Sequence, residues 1–157
     1  MDLILWRHAQ AEDVRPNQSD LARDLTARGQ VQAQQVAAWL DEHLPQETRV
    51  LVSPAERTRA TAAALNRPWV VSAALAPDQP AESVLAACGW PQGEPDGRGA
   101  TLIVGHQPTL GQIAARVLGM AEPCAVRKGA LWWIRRRVRD GRAETVLMTV
   151  LNPDWMS

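Results

Sequence analysis

At 157 residues, with 46% hydrophobic and 22% charged side chains, the chain has the length and composition of one globular domain able to bury a core. Its formal net charge is zero, which argues against a protein built to coat nucleic acid or an anionic membrane. No apolar run approaches the roughly 20 residues that span a bilayer.

The chain opens on an apolar run, Leu3 to Trp6, which reads as a buried strand ending at Arg7-His8. No basic leader precedes it and no small-residue cleavage site follows, so a cytoplasmic protein is expected. Gln10 to Asp24 is a long polar loop. Thr26 caps the next element, with Leu25 ahead of it as a staple residue. In that helix Ala33, Val36, Ala37, Leu40 and Leu44 recur at helical spacing before Pro45. His43, in the closing turn, suits the helix dipole.

Arg49 to Ser53 reads as a second strand. The stretch SPAERTRATAAALN is then expected as a helix, with Ser53 as its cap, Pro54 at its first position and Glu56 completing a capping box. Trp69 to Ser72 is a short strand, and Pro80 opens a short helix through Cys88. Gly89 to Gly99 is a glycine- and proline-rich surface loop. ATLIVGH, ending at His106, repeats the opening device of an apolar strand that delivers a histidine. A helix follows, started by Pro108 and closed by Gly119. Two strands around Asp140-Gly141 form a hairpin.

Strand-then-helix units followed by a hairpin predict an α/β fold. Its three layers (α/β/α) hold a mostly parallel central sheet with a C-terminal antiparallel hairpin, as one domain over residues 1–157. Cys88 and Cys124 have neither metal-ligand spacing nor a disulfide framework and read as small packed side chains. RRRVRDGR reads as a solvated hairpin rather than a nucleic-acid patch. Trp132 and Trp133, adjacent in a strand, face opposite sides and make no stacking stripe.

Three strands thus end in polar groups: Arg7-His8, Ser53 with Arg57 in the helix beyond, and Gly105-His106. Strand ends of a parallel sheet share one edge, so these groups can meet there. Two arginines, two histidines and helix N-termini make an anion site, since the guanidinium fork matches phosphate oxygens. No carboxylate cluster accompanies them, so no metal is expected.

The blocks LWRHAQAE, RDLTARG, VLVSPAERTRATA and LIVGHQP resemble, in order, the signature blocks of the histidine phosphatase superfamily. The small size and the RDLTARGQVQA block most resemble its SixA-type phosphohistidine phosphatases. That resemblance implies a phosphoglycerate mutase-like fold and a nucleophilic His8 that is transiently phosphorylated. It further implies that Arg7, Arg57 and His106 bind the phosphoryl oxygens, with the backbone at Gln107 adding a donor. Arg23 lies in a matching block, with a structural or rim role. Ala9 departs from the pattern, because the family's first motif reads Arg-His-Gly. Glycine there permits φ > 0 or close backbone approach, and alanine tolerates the second better than the first.

The implied activity is metal-independent and cofactor-free hydrolysis of phosphohistidine on a protein. The alternatives are a small-molecule phosphomonoesterase of the same fold and a catalytically weak phosphoprotein-binding module. The segment after the third strand offers only Asp78 and Glu82 as a general acid, and they read as a turn aspartate and a helix-start glutamate. An alkoxide leaving group needs such an acid, whereas an imidazole departs from phosphorus more readily, so a pocket without one suits phosphohistidine.

Overall fold

The structure, a computed structural model, describes residues 1–93 and 99–156. Its strands are β1 (Asp2–Arg7), β2 (Arg49–Val52), β3 (Val70–Val71), β4 (Ala100–Gly105), β5 (Leu131–Arg139) and β6 (Arg142–Leu151). Its helices are α1 (Ala27–His43), α2 (Glu56–Ala62), α3 (Ala81–Ala87) and α4 (Thr109–Leu118). The sheet order is β3-β2-β4-β1-β5-β6. β1 to β4 run parallel, β5 lies antiparallel to β1, and β6 returns beside β5. This is the α/β architecture expected, hairpin included.

Alternation along the central strands builds the layers. Ile4, Trp6, Leu102 and Val104 face one side and pack with Val36 and Leu40 of α1 and Ala62 of α2. Leu3, Leu5 and Ile103 face the other and pack with Val84 of α3 and Ile113 of α4. Both faces of β1 and β4 are covered, which is why their sequences are near-continuous apolar runs. No described helix is long and apolar enough to cross a membrane.

Several local signals act as expected. Thr26 Oγ1 accepts the Gly29 N–H at 2.9 Å and caps α1. Gly119 closes α4 at φ 70. Asp140 and Gly141, at φ 51 and 76, supply the two left-handed residues of a tight hairpin turn. Trp133 is buried on the α1 side while Trp132 packs toward α4. His43 stacks on Trp39 at the end of α1. Cys88 is buried and Cys124 half-buried, and both are free.

Other expectations need correction. α2 begins at Glu56, not Pro54, and ends at Ala62 rather than Asn66. Its cap residue is Ala55, which contributes no side-chain bond. Ser53 is no cap, because α2 begins only at Glu56 and Ala55 holds the cap position; the Ser53 hydroxyl instead lies 2.7 Å from His106 Nε2. The strand expected at Trp69 to Ser72 shrinks to an exposed two-residue edge at Val70–Val71. The loop expected over Gly89 to Gly99 falls partly on residues 94–98, outside the described residues.

Candidate active site

Register brings the first and fourth strand ends together. Arg7 pairs with Gly105 across β1 and β4, so the residues that follow, His8 and His106, emerge side by side. Their ring centroids are 5.4 Å apart, and the His8 N–H donates to the Gly105 carbonyl at 3.1 Å. β2 pairs Val52 with Val104, which places Ser53 beside the same edge. Arg57, one residue into α2, is almost wholly buried, and its charge acts on Arg7, His8 and His106.

The His8 ring is fixed by its own backbone. Nδ1 lies 2.8 Å from the Ala9 carbonyl, which can only accept, so Nδ1 carries the proton and Nε2 keeps its lone pair. The pKa is lowered to about 4. Burial is the largest cause; the Ala9 bond opposes it, and the charges of Arg7, Arg57 and Arg23 add to it. His8 is therefore neutral at pH 7. Ala9 occupies the family's glycine position without a left-handed backbone, and its N–H donates to Thr61 Oγ1 of α2 at 3.1 Å. The alanine is accommodated.

His106 is held differently. Ser53 is fully buried, and its oxygen accepts the Ala55 N–H at 3.4 Å. The hydroxyl hydrogen then has His106 Nε2, at 2.7 Å, as its described acceptor. Nδ1 of His106 consequently carries the ring proton, and it is buried with no hydrogen-bond partner among the described residues. Burial, then Arg57 and His8, lower the His106 pKa to about 3, with Asp20 opposing, so this ring too is neutral. Nε of Arg7 and Nε of Arg57 are likewise buried without a described partner. Three unpaired N–H donors and a neutral imidazole with a free Nε2 lone pair are groups that suit a tetrahedral oxyanion. The Gln107 side chain is anchored to Gly111 and Cys124, at 2.7 and 3.2 Å.

Asp20 was not marked by the sequence. Its carbonyl and carboxylate accept from Arg57 at 2.9 and 3.0 Å, and its carboxylate also pairs with Arg23 at 3.2 Å. Nothing distinguishes it from Glu12, Asp13 and Asp24 in the same polar loop. Arg23 itself donates to the Glu12 carbonyl at 2.7 Å, and the loop and its arginine form a rim around Arg57. Arg7 is pinned by a bond from its guanidinium to the Val126 carbonyl at 2.9 Å. Glu82 lies outside the group, bound to Arg116 at 2.7 Å near the far end of α4. Asp78 sits on an exposed turn at φ 69.

The histidine phosphatase superfamily (branch 1) matches residues 3–78 of the chain. A phosphohistidine phosphatase SixA homolog from Haemophilus influenzae is 30% identical over 166 residues, covering 98% of this chain and 97% of that protein. The protein histidine phosphatase SixA complexed with tungstate shares the fold at a TM-score of 0.77 with 24% identity, covering 98% of both chains. A phosphoserine phosphatase mutant from Entamoeba histolytica, in complex with phosphoserine, aligns at a TM-score of 0.69 with 15% identity over 97% of both chains. The motifs, the phosphoglycerate mutase-like fold and the near full-length match agree: the chain belongs to the histidine phosphatase superfamily and is of the SixA type.

Proposed function

We propose that the chain hydrolyses phosphohistidine on a protein, through a phosphorylated His8 and without a metal. The observation that carries this reading is the state of His8. Its Nδ1–H is tied to Ala9, its Nε2 is unprotonated at pH 7, and cationic Arg7 and Arg57 lie beside it. Nε2 attacks phosphorus, the Nε2–P bond forms as the P–N bond to the substrate imidazole breaks, and that ring leaves with the bonding pair and takes a proton from solvent. Water then attacks phosphorus, releasing phosphate and restoring His8. Charge on the equatorial oxygens is met by Arg7, Arg57 and the His106 Nδ1–H, with the Gln107 backbone N–H beside them. The two arginines supply the charge neutralisation that a divalent cation supplies elsewhere.

The near full-length likeness to the SixA homolog supports phosphohistidine as substrate. Tungstate, the ligand of the SixA structure, is a tetrahedral oxyanion of the kind these donors suit. Glu82, tied to Arg116, and Asp78, on its exposed turn, give an alkyl phosphate no placed acid. The two free cysteines fit a reducing cytoplasm.

The test is turnover of a ³²P-phosphohistidine protein by wild type and His8→Ala, with and without EDTA. Expected are metal-independent phosphate release and an acid-labile label on the wild type that His8→Ala lacks. Release without label overturns the His8 intermediate, and EDTA loss restored by Mg²⁺ overturns metal independence. A sugar phosphate as best substrate establishes the phosphomonoesterase instead. Binding of the phosphoprotein without release establishes the silent module.

A further inference from the structure

A cleft of about 310 Å³ adjoins the candidate site and shares Arg7 with it. Besides Arg7 it is lined by Gln10, Arg28, Gln32, Arg127 and Lys128, with Asp154 as its one acidic group. Its polar groups are donors almost throughout. Gln10 Oε1 accepts from Thr26 Oγ1 at 2.8 Å, and Gln32 Oε1 accepts the Gln10 N–H at 3.0 Å. Each amide oxygen is thereby engaged and oriented, and each NH₂ is left with no partner among the described residues. Gln32 is only 7% exposed as a residue, so its amide is a donor held by packing at the wall of the cleft.

Asp154 does not neutralise the cleft. Its carboxylate bridges Arg28 and Arg127 at 3.1 and 3.0 Å, taking one N–H from each guanidinium and holding the two forks side by side. Four of the five donors of each fork remain. Lys128 has no partner among the described residues. Four cations, counting Arg7, therefore face one carboxylate.

The cleft is fixed to the catalytic strand. The Val126 carbonyl accepts from Arg7, the Gly129 N–H donates to the His8 carbonyl at 3.0 Å, and the Gly129 carbonyl accepts from Trp6 Nε1 at 3.0 Å. Arg127 and Lys128 lie between those two anchors. Their backbone is thereby tied to the strand end that carries His8.

We propose that this cleft is a second anion subsite, continuous with the phosphoryl pocket through Arg7, that receives an aspartate or glutamate side chain of the phosphoprotein close to its phosphohistidine. The inference rests on the reading of a phosphoprotein as substrate. A small metabolite is disfavoured as occupant because the Arg28 and Arg127 side chains are 65% and 63% exposed. A pocket for a small ligand encloses about 70–90% of it. Exposed forks suit a carboxylate carried on a protein surface.

The test uses two phosphohistidine peptides that differ only in glutamate or lysine flanking the phosphohistidine. Turnover is measured for wild type, R127E/K128E, K128E and D154N. Binding is measured for the same peptides carrying a non-hydrolysable phosphonate in place of the phosphohistidine. Circular dichroism reports folding. Wild type should favour the glutamate peptide on the order of tenfold, as two exposed ion pairs would give, and lose that preference in high salt. R127E/K128E should lose or invert the preference, K128E should reduce it, and D154N should enlarge it. Equal use of both peptides by wild type, or a preference that survives in R127E/K128E, overturns the subsite. A phosphorylated small carboxylic acid that loses affinity in R127E/K128E, with no peptide preference, overturns the protein occupant. Hydrolysis of an aryl phosphate but of neither peptide overturns the phosphohistidine reading, and the phosphonate binding series then decides the subsite by itself.

Discussion

The Ser53 hydroxyl lies 2.7 Å from His106 Nε2, at the edge where β2 and β4 end side by side. A buried serine whose oxygen already accepts from Ala55 has its hydrogen to give, and the imidazole lone pair takes it. The bond assigns His106 as an Nδ1–H donor. Serine thus acts through histidine, as a positioning residue.

Ser53→Ala should leave His106 Nε2 unpaired and free the ring to exchange tautomers. ¹⁵N NMR should show the Nδ1–H form in wild type and a mixture in the variant. Turnover should fall by about tenfold, less than the roughly 10²–10³-fold cost of deleting an oxyanion donor outright. A pure Nδ1–H ring in S53A would refute the assignment.

Acid should act through the two buried histidines. Their folded pKa values, about 4 for His8 and about 3 for His106, lie below the ordinary 6.5. Between those limits the unfolded chain binds more protons than the native one, so stability rises with pH there. It should decline as pH falls from about 6.5 toward 4 and be constant, as far as these groups act, above 7. Thermal melts across pH 4 to 8 test the slope. An NMR titration of His8 with its midpoint near 6.5 would contradict the buried, cation-flanked site.

Asp20 holds the Arg57 guanidinium that the proposed reaction assigns to phosphate, so the two should compete. Asp20→Asn removes the carboxylate charge while the backbone bond at 2.9 Å still holds the guanidinium. Inorganic phosphate and vanadate should then inhibit several-fold more tightly, because a nearby charge is worth about 1 kcal/mol in water-like surroundings. Weaker inhibition by both ions would show that the carboxylate chiefly positions Arg57.

Neither Asp78→Asn nor Glu82→Gln should change the rate on phosphohistidine by more than about twofold, against the roughly 10²–10⁴-fold of a lost general acid. Glu82 is held by Arg116 and Asp78 sits on an exposed turn. Steady-state rates on a phosphohistidine peptide and on an alkyl phosphate decide it. A large loss confined to the alkyl phosphate would identify an acid and favour the phosphomonoesterase.

Much of this protein follows from local sequence. Periodicity alone marks the central strands and α1, because a side chain's face is set by its spacing from its neighbours. Thr26, Gly119 and Asp140-Gly141 stop and turn the chain through contacts within a few residues, so their signals carry over unchanged. The shared edge of Arg7-His8, Ser53 and His106 follows from the rule that parallel strands end together.

What the tertiary structure decided are bonds between residues far apart in the chain. Ser53 has the sequence of a helix cap, yet α2 begins only at Glu56 and the Ser53 hydroxyl meets a histidine 53 residues away. Asp20 is one acid among several in a polar loop until the fold lays that loop over Arg57, 37 residues on. The cleft of Arg28, Arg127, Lys128 and Asp154 gathers charges from three separate segments. No periodicity records such pairings, because a hydrogen bond between distant segments depends on where packing of the whole core delivers the two backbones.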